Sequence, residues 1–430
     1  MRSFLMVVAA AAFLAAGTSA VRAQGEFPLR YVVAEENDPL LTILGVSYRG
    51  GVSEQPPDIK VLPEGLSDKV RYFRILVGGK PVCAALDAAS PPKLYVDVAG
   101  TGDLSAVTPL VGKANGSDCH YGPVVISTGN SEGAPTVKVL FVSTKFAEHP
   151  GYSVPPGAET YDYNLGVRAA GYMAGDVKLD GRTCRVAVLD KDLNGRYESA
   201  FGADGKIVFW WQPDWIAIDS NQDGKFIFIY GGDGSEIMPL VKAVHVRDVY
   251  YRVQVAPDGS SIRLEKYEPK MGTLDVGIAA SLEVFSDTGL HNLGASDGKW
   301  QVPEGKYMCS GDLLLSISKI DADGNEWRLE GLDAGPLEKF EVRGGETTAF
   351  KIGPPLTLKV DAERSESGRI PLNLALAGKA GETYSVGLRL QKGTLRLLPP
   401  RLLPPRLPPP KVKVFDASGK LLTEGNSEFG

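Results

Sequence analysis

The chain has 430 residues, with 46 Lys and Arg against 52 Asp and Glu, for a net charge of −6. Its 43% hydrophobic and 23% charged content belong to a folded protein, not a disordered one, and its length calls for several domains. The acidic balance gives no electrostatic case for nucleic-acid binding, and four His with four Cys leave little material for a zinc or redox centre.

Residues 1–23 read as a Sec-type signal peptide. Arg2 gives the positive start, Phe4 to Ala16 the apolar stretch, and Val21-Arg22-Ala23 the small residues for cleavage after Ala23. The stretch is too short for a membrane span, and nothing later resembles a transmembrane span. The expected location is periplasmic or secreted. Removal of the segment leaves 407 residues at a net charge of −8.

After the signal, helical periodicity gives way to alternation at period two, with turn residues at short intervals. The expected class is all-β, built from several β-sandwich-like modules in tandem. Pro and Gly clusters mark boundaries: a module over 24–158, a second over 159–270, a third over 271–353 and a fourth, Ig-like, over 354–430. In the first module, Ala84-Ala85-Leu86-Asp87 precedes Leu94-Tyr95-Val96-Asp97 and a Gly loop, then Pro109-Leu110. The second repeats that order with Ala187-Val188-Leu189-Asp190, Trp215-Ile216-Ala217-Ile218-Asp219 and Pro239-Leu240. This suggests a duplication. Of the cysteines, only Cys83 and Cys119 are expected to share a module, so theirs is the one disulfide to test. Cys184 is expected to be a buried thiol on the face of Val186 and Val188.

Two loops of the second module stand out. Asp190-Lys191-Asp192-Leu193-Asn194-Gly195-Arg196-Tyr197 and Asp219-Ser220-Asn221-Gln222-Asp223-Gly224-Lys225-Phe226 each place side-chain oxygens at positions 1, 3 and 5, Gly at 6 and a large apolar residue at 8. The pattern resembles the calcium loop of EF-hands and related Asp-rich loops. That resemblance implies Ca²⁺, a hard cation taking six to eight oxygens at about 2.3–2.6 Å. The ligands it implies are Asp190, Asp192, Asn194 and Arg196 in one loop, and Asp219, Asn221, Asp223 and Lys225 in the other, with Arg196 and Lys225 acting through their carbonyls. The bidentate Glu of position 12 is missing: Phe201 and Tyr230 stand there. Glu198, Asp204, Asp214 and Asp233 are candidate replacements, and Asp214 leads because it opens the strand that delivers Asp219. Flanking strands argue against a helix–loop–helix sensor. The competing reading is a pair of ordinary Asx turns. The first-module loop at Asp97 keeps only Asp97 and Asp103 and reads as a degenerate turn.

Phe209-Trp210-Trp211 with Trp215 offers either a sugar-stacking face or a core. Tyr251, Val253 and Val255, the turn Pro257-Asp258-Gly259, and Ile262 with Leu264 read as a hairpin. In the third module, Asp297 to Tyr307 contains Pro303-Glu304-Gly305-Lys306-Tyr307. This resembles the Pro-x-Gly-x-Tyr edge of carboxypeptidase-regulatory-like and prealbumin-like β-sandwiches, which implies an accessory module. Gly129 to Gly133 and Ser316 with Lys319 match nucleophile motifs but sit in strand contexts that do not suit them. Residues 397–410, a Leu-Pro-Pro-Arg repeat, should be polyproline II. The expected function is exported structural or binding work, non-enzymatic, on a protein or polysaccharide at the cell surface. The alternative is a carbohydrate-active enzyme or a sugar-binding protein.

Overall fold

The structure is a computed structural model. It describes residues 25–35, 38–40, 47–116, 118–129, 134–145, 163–198, 214–227, 235–295, 297–309, 315–320, 326–362, 372–384, 388–390, 411–415 and 418–426. The signal segment, the linker near residue 158, Trp210 and Trp211, and the Pro-rich repeat lie outside them.

The chain is all-β, as expected. It divides into two compact units, 1–269 with 286–290, and 270–285 with 291–430. The break at Pro269 and Lys270 coincides with an expected boundary. The boundaries near residues 158 and 354 fall inside units. The physical reason is a shared core. One buried cluster unites Phe73, Leu86 and Val96 with Phe141 and Val167, and with Ala187, Leu189 and Trp215. In the second unit, Tyr384 is buried in the same cluster as Leu274, Trp300 and Tyr307. Pro and Gly clusters gave the modules their separate appearance in sequence, but buried residues on either side of an expected boundary share one cluster.

Three sheets position the site. The first is antiparallel in the order Val70–Val77, Lys80–Asp87, Lys93–Val96, Leu110–Val111. The second runs Ser47–Gly50, Tyr163–Ala169, Thr136–Lys145, Asp118–Ser127, Lys113–Asn115. The third runs Ile237–Pro239, Trp215–Ile218, Arg182–Leu189, Gly171–Leu179, Arg30–Val33. The first and third share one plan: a hairpin, a short third strand, then a shorter fourth. The equivalence is one residue away from that read in the sequence. Asp97 N donates to Cys83 O at 2.8 Å and Asp219 N to Arg185 O at 2.9 Å. Cys83 therefore matches Arg185, and Asp87 falls opposite Leu189, not Asp190. Asp87 instead accepts from the Ser67 hydroxyl and the Ala89 amide.

The expected hairpin forms as Val249–Val255 against Ser261–Tyr267, with Tyr251, Ile262 and Leu264 buried. Cys184 is buried with Val186 and Val188 on the same face of its strand. All four cysteines are free thiols, so Cys83 and Cys119 form no disulfide. In the second unit, Pro303-Glu304-Gly305-Lys306-Tyr307 joins Lys299–Pro303 to Gly305–Cys309. The buried Tyr307 hydroxyl donates to Pro303 O at 2.6 Å and pins that corner. No described helix is long and apolar enough to cross a membrane.

Candidate metal centre

Both acidic loops leave the ends of adjacent strands of the third sheet. Asp190 follows Arg182–Leu189, and Asp219 follows Trp215–Ile218. Each first aspartate is buried where the chain leaves the end of its paired strand. Its ionised form then needs partners. Asp190 accepts the amides of Asn194 at 3.1 Å and Gly195 at 2.9 Å. Asp219 accepts those of Asp223 at 3.2 Å and Gly224 at 3.0 Å. Positions 3 and 5 repeat the correspondence. Asp192 accepts from Asn194 N and Asn221 from Asp223 N, while Asn194 accepts from Arg196 N and Asp223 from Lys225 N. The backbone turns alike in both: φ is 60° at Leu193 and 64° at Gln222, then 78° at Gly195 and 80° at Gly224. Glycine at position 6 takes that left-handed conformation without a Cβ clash.

Asp214, the leading replacement ligand expected from sequence, joins the Asp190 loop, whereas the counterpart in the second loop, Glu236, was not expected. A second buried carboxylate reaches in from just before the next strand. Asp214 precedes Trp215 and accepts Lys191 N at 3.0 Å and Glu198 N at 2.8 Å, which are positions 2 and 9. Glu236 precedes Ile237 and accepts Ser220 N at 2.7 Å and Ile227 N at 3.2 Å, again positions 2 and 9. The loop aspartates lie 24 and 17 residues before these carboxylates, so no fixed spacing exposes the pairing. The only signal is that each acid immediately precedes a strand. Of the other candidates, Glu198 is exposed and sits 3.9 Å from Arg196, while Asp204 and Asp233 lie outside the described residues.

Asp190, Asp192 and Asp214 each turn an oxygen into one group, all within 4.8 Å of one another. This cluster can hold a metal ion. Asp190 and Asp214 are buried and Asp192 is exposed, so the group opens to solvent on one side. No cation pairs with it among the described residues. Lys191 turns away, with its Nζ 4.8 Å from the Trp215 ring centroid. Burial, with the Asp192 charge alongside, pushes Asp190 up to about 7. Burial and the Asp190 charge hold Asp214 well above the usual carboxylate range, and burial raises Asp192 too. Three carboxylates that resist ionising together are what a divalent cation relieves. In the second loop, Asp219, Asn221, Asp223 and Glu236 have the same backbone partners, but their carboxylates do not converge to this spacing.

The third loop, at Asp97, has the same backbone and not the chemistry. Asp97 accepts from Gly100, Thr101 and Gly102, and φ is 73° and 77° at the two glycines. Ala99 stands at position 3, so an oxygen is lost.

The Asp190 loop is also a junction. Thr128 Oγ1 donates to Asn194 O at 2.9 Å, Tyr197 N donates to Pro257 O at 3.1 Å, and Leu193 enters the shared core. A Cβ on Gly78 would stand 2.6 Å from Leu193 O, so the first sheet's hairpin tip packs directly against the loop. Trp215 is only 3% exposed and offers no stacking face. Comparison with known proteins finds no matching family model, no matching curated protein and no matching solved structure.

Proposed function

We propose that the chain is an exported, non-enzymatic structural or binding protein whose acidic loops hold Ca²⁺, and that the ion fixes the junction between its sheets. The observation that carries this reading is the convergence of Asp190, Asp192 and Asp214 without a cationic partner among the described residues. The donor set is all oxygen, which suits a hard cation and not zinc or copper. Asn194 and the Arg196 carbonyl would complete the Asp190 loop. Asp219, Asn221, Asp223, the Lys225 carbonyl and Glu236 would form a second, weaker site. Ion binding adds its free energy to folding, because the cluster does not exist in the unfolded chain. The natural partner for such a scaffold is a protein or polysaccharide at the cell surface. The resemblance of residues 271–353 to accessory sandwiches supports the same reading. The sugar-stacking alternative loses Trp215 to the core.

The test is thermal unfolding in EDTA followed by graded Ca²⁺ or Mg²⁺. At a hundredfold excess over Kd, Ca²⁺ should raise the midpoint by about 5–10 °C. Asp190→Ala with Asp219→Ala should abolish the rise. An unchanged rise in that double variant would refute the assignment.

A further inference from the structure

A second site lies on the same unit, sharing no residue with the acidic loops. Two hairpin tips from different sheets meet there. Leu179 pairs with Arg182 around the turn Asp180-Gly181, and Val246 pairs with Val249 around the turn Arg247-Asp248. Both are two-residue turns with φ positive at both positions: 47° and 79° in the first, 48° and 62° in the second. Such turns favour Asn-Gly or Asp-Gly. The first complies. The second places Arg247 and Asp248, two residues with side chains, in the left-handed region. Folding alone favours Gly or Asn there, so the arginine at this position invites a functional explanation.

Between the tips is a pocket of about 310 Å³. Leu179, Val246, the buried Tyr251 and the buried Cys184 form its less polar lining. Arg182 and Arg247 are also among its lining residues, and neither guanidinium has a partner among the described residues. The one carboxylate present, Asp180, is already engaged. It accepts the Tyr251 hydroxyl at 2.7 Å, and Lys266 Nζ stands 3.9 Å away. That hydrogen bond also ties the two hairpins together. Burial raises the Cys184 thiol, and the Arg247 and Arg182 charges oppose that rise, so this lining residue feels both cations. Asp219 and Glu236 act the other way from the loop side.

We propose that this pocket binds a small organic anion, with Arg182 and Arg247 on its oxyanion group and the Leu179, Val246 and Tyr251 surfaces against its apolar body. Two guanidinium groups present planar forks that match carboxylate or sulfonate oxygens. A volume of about 310 Å³ is at the small end of ligand pockets, which suits a ligand the size of one ring. A bare inorganic oxyanion would use the arginines and leave the apolar lining wet.

The test uses the purified full chain with Ca²⁺ present, titrated calorimetrically with sodium benzoate and separately with sodium sulfate. Benzoate should bind with one site per chain, and sulfate should bind more weakly and compete with it. Arg182→Gln with Arg247→Asn should weaken benzoate binding by about tenfold or more, since each charge-assisted contact is worth that much. Asn tolerates the left-handed position, so the turn survives. If that variant does not fold, Arg182→Glu alone, at an exposed strand position, should abolish binding. No benzoate binding at millimolar concentration would overturn the proposal. So would binding unchanged in the variants, or binding of sulfate without benzoate.

Discussion

Asp190 and Asp214 are two buried carboxylates whose main partners are backbone amides. An amide offsets part of the cost of burying a charge, but two such charges near a third still repel. The metal-free protein should therefore depend on pH in an unusual direction. Asp190 has an ordinary carboxylate pKa when unfolded and about 7 when folded, so the folded state binds more protons between those values. Its contribution is full below about pH 4 and is lost as pH rises through about 7. In EDTA, the free energy of unfolding should fall between those limits. Saturating Ca²⁺ should remove that decline and release protons on binding near pH 6.5. Urea unfolding at a series of pH values, with and without EDTA, measures both effects. A flat EDTA profile would mean that burial and the neighbouring charge do not raise Asp190 in the folded protein.

At the scale of the element, the loops are held more by backbone shape than by side-chain chemistry. Gly195 and Gly224 share one left-handed conformation, so replacing either by Ala should cost about 1–2 kcal/mol. Gly195 should cost more, because its Cβ would meet Pro135 at 2.7 Å, whereas Gly224 faces open space. Urea unfolding of the two single variants tests the order, and equal losses would show that the junction at Gly195 is loose. Glu236→Ala should destabilise by about 1–3 kcal/mol or more, since it orphans the Ser220, Asn221 and Ile227 amides at once. Asp223→Ala, at an exposed position, should cost less, and the same denaturation series compares them. These elements also show what the sequence could yield. Spacing within a loop is local, so Asp190, Asp192 and Asn194, and their counterparts at 219, 221 and 223, were legible. The closing carboxylates arrive across strand pairing. Asp214 and Glu236 carried no mark beyond each preceding a strand. The one-residue offset at Asp87 arose for the same reason, since register is decided by cross-strand hydrogen bonds and not by matching letters.

For the whole molecule, period-two alternation was enough to give the all-β class. Composition reports where a chain turns, not whether the faces on either side share a core. Phe73, Phe141 and Trp215, from three sheets, lie in one buried cluster. This arrangement predicts a specific calorimetric trace. The two units should unfold in separable transitions, and Ca²⁺ should raise only the one that reports residues 25–269, where the acidic loops sit. Equal movement of both transitions would contradict a cation confined to that unit.

The most direct test of the central claim is the number of ions bound. The EDTA-treated chain, freed of EDTA and titrated calorimetrically with Ca²⁺, should take up one ion at the Asp190 cluster with the higher affinity and a second at the Asp219 loop. Asp214→Ala should remove the tighter event and leave the weaker one in place, because Asp214 serves only the first loop. Loss of the tight event alone is the predicted result. No uptake by the unaltered chain, or a tight event that survives Asp214→Ala, would contradict the account.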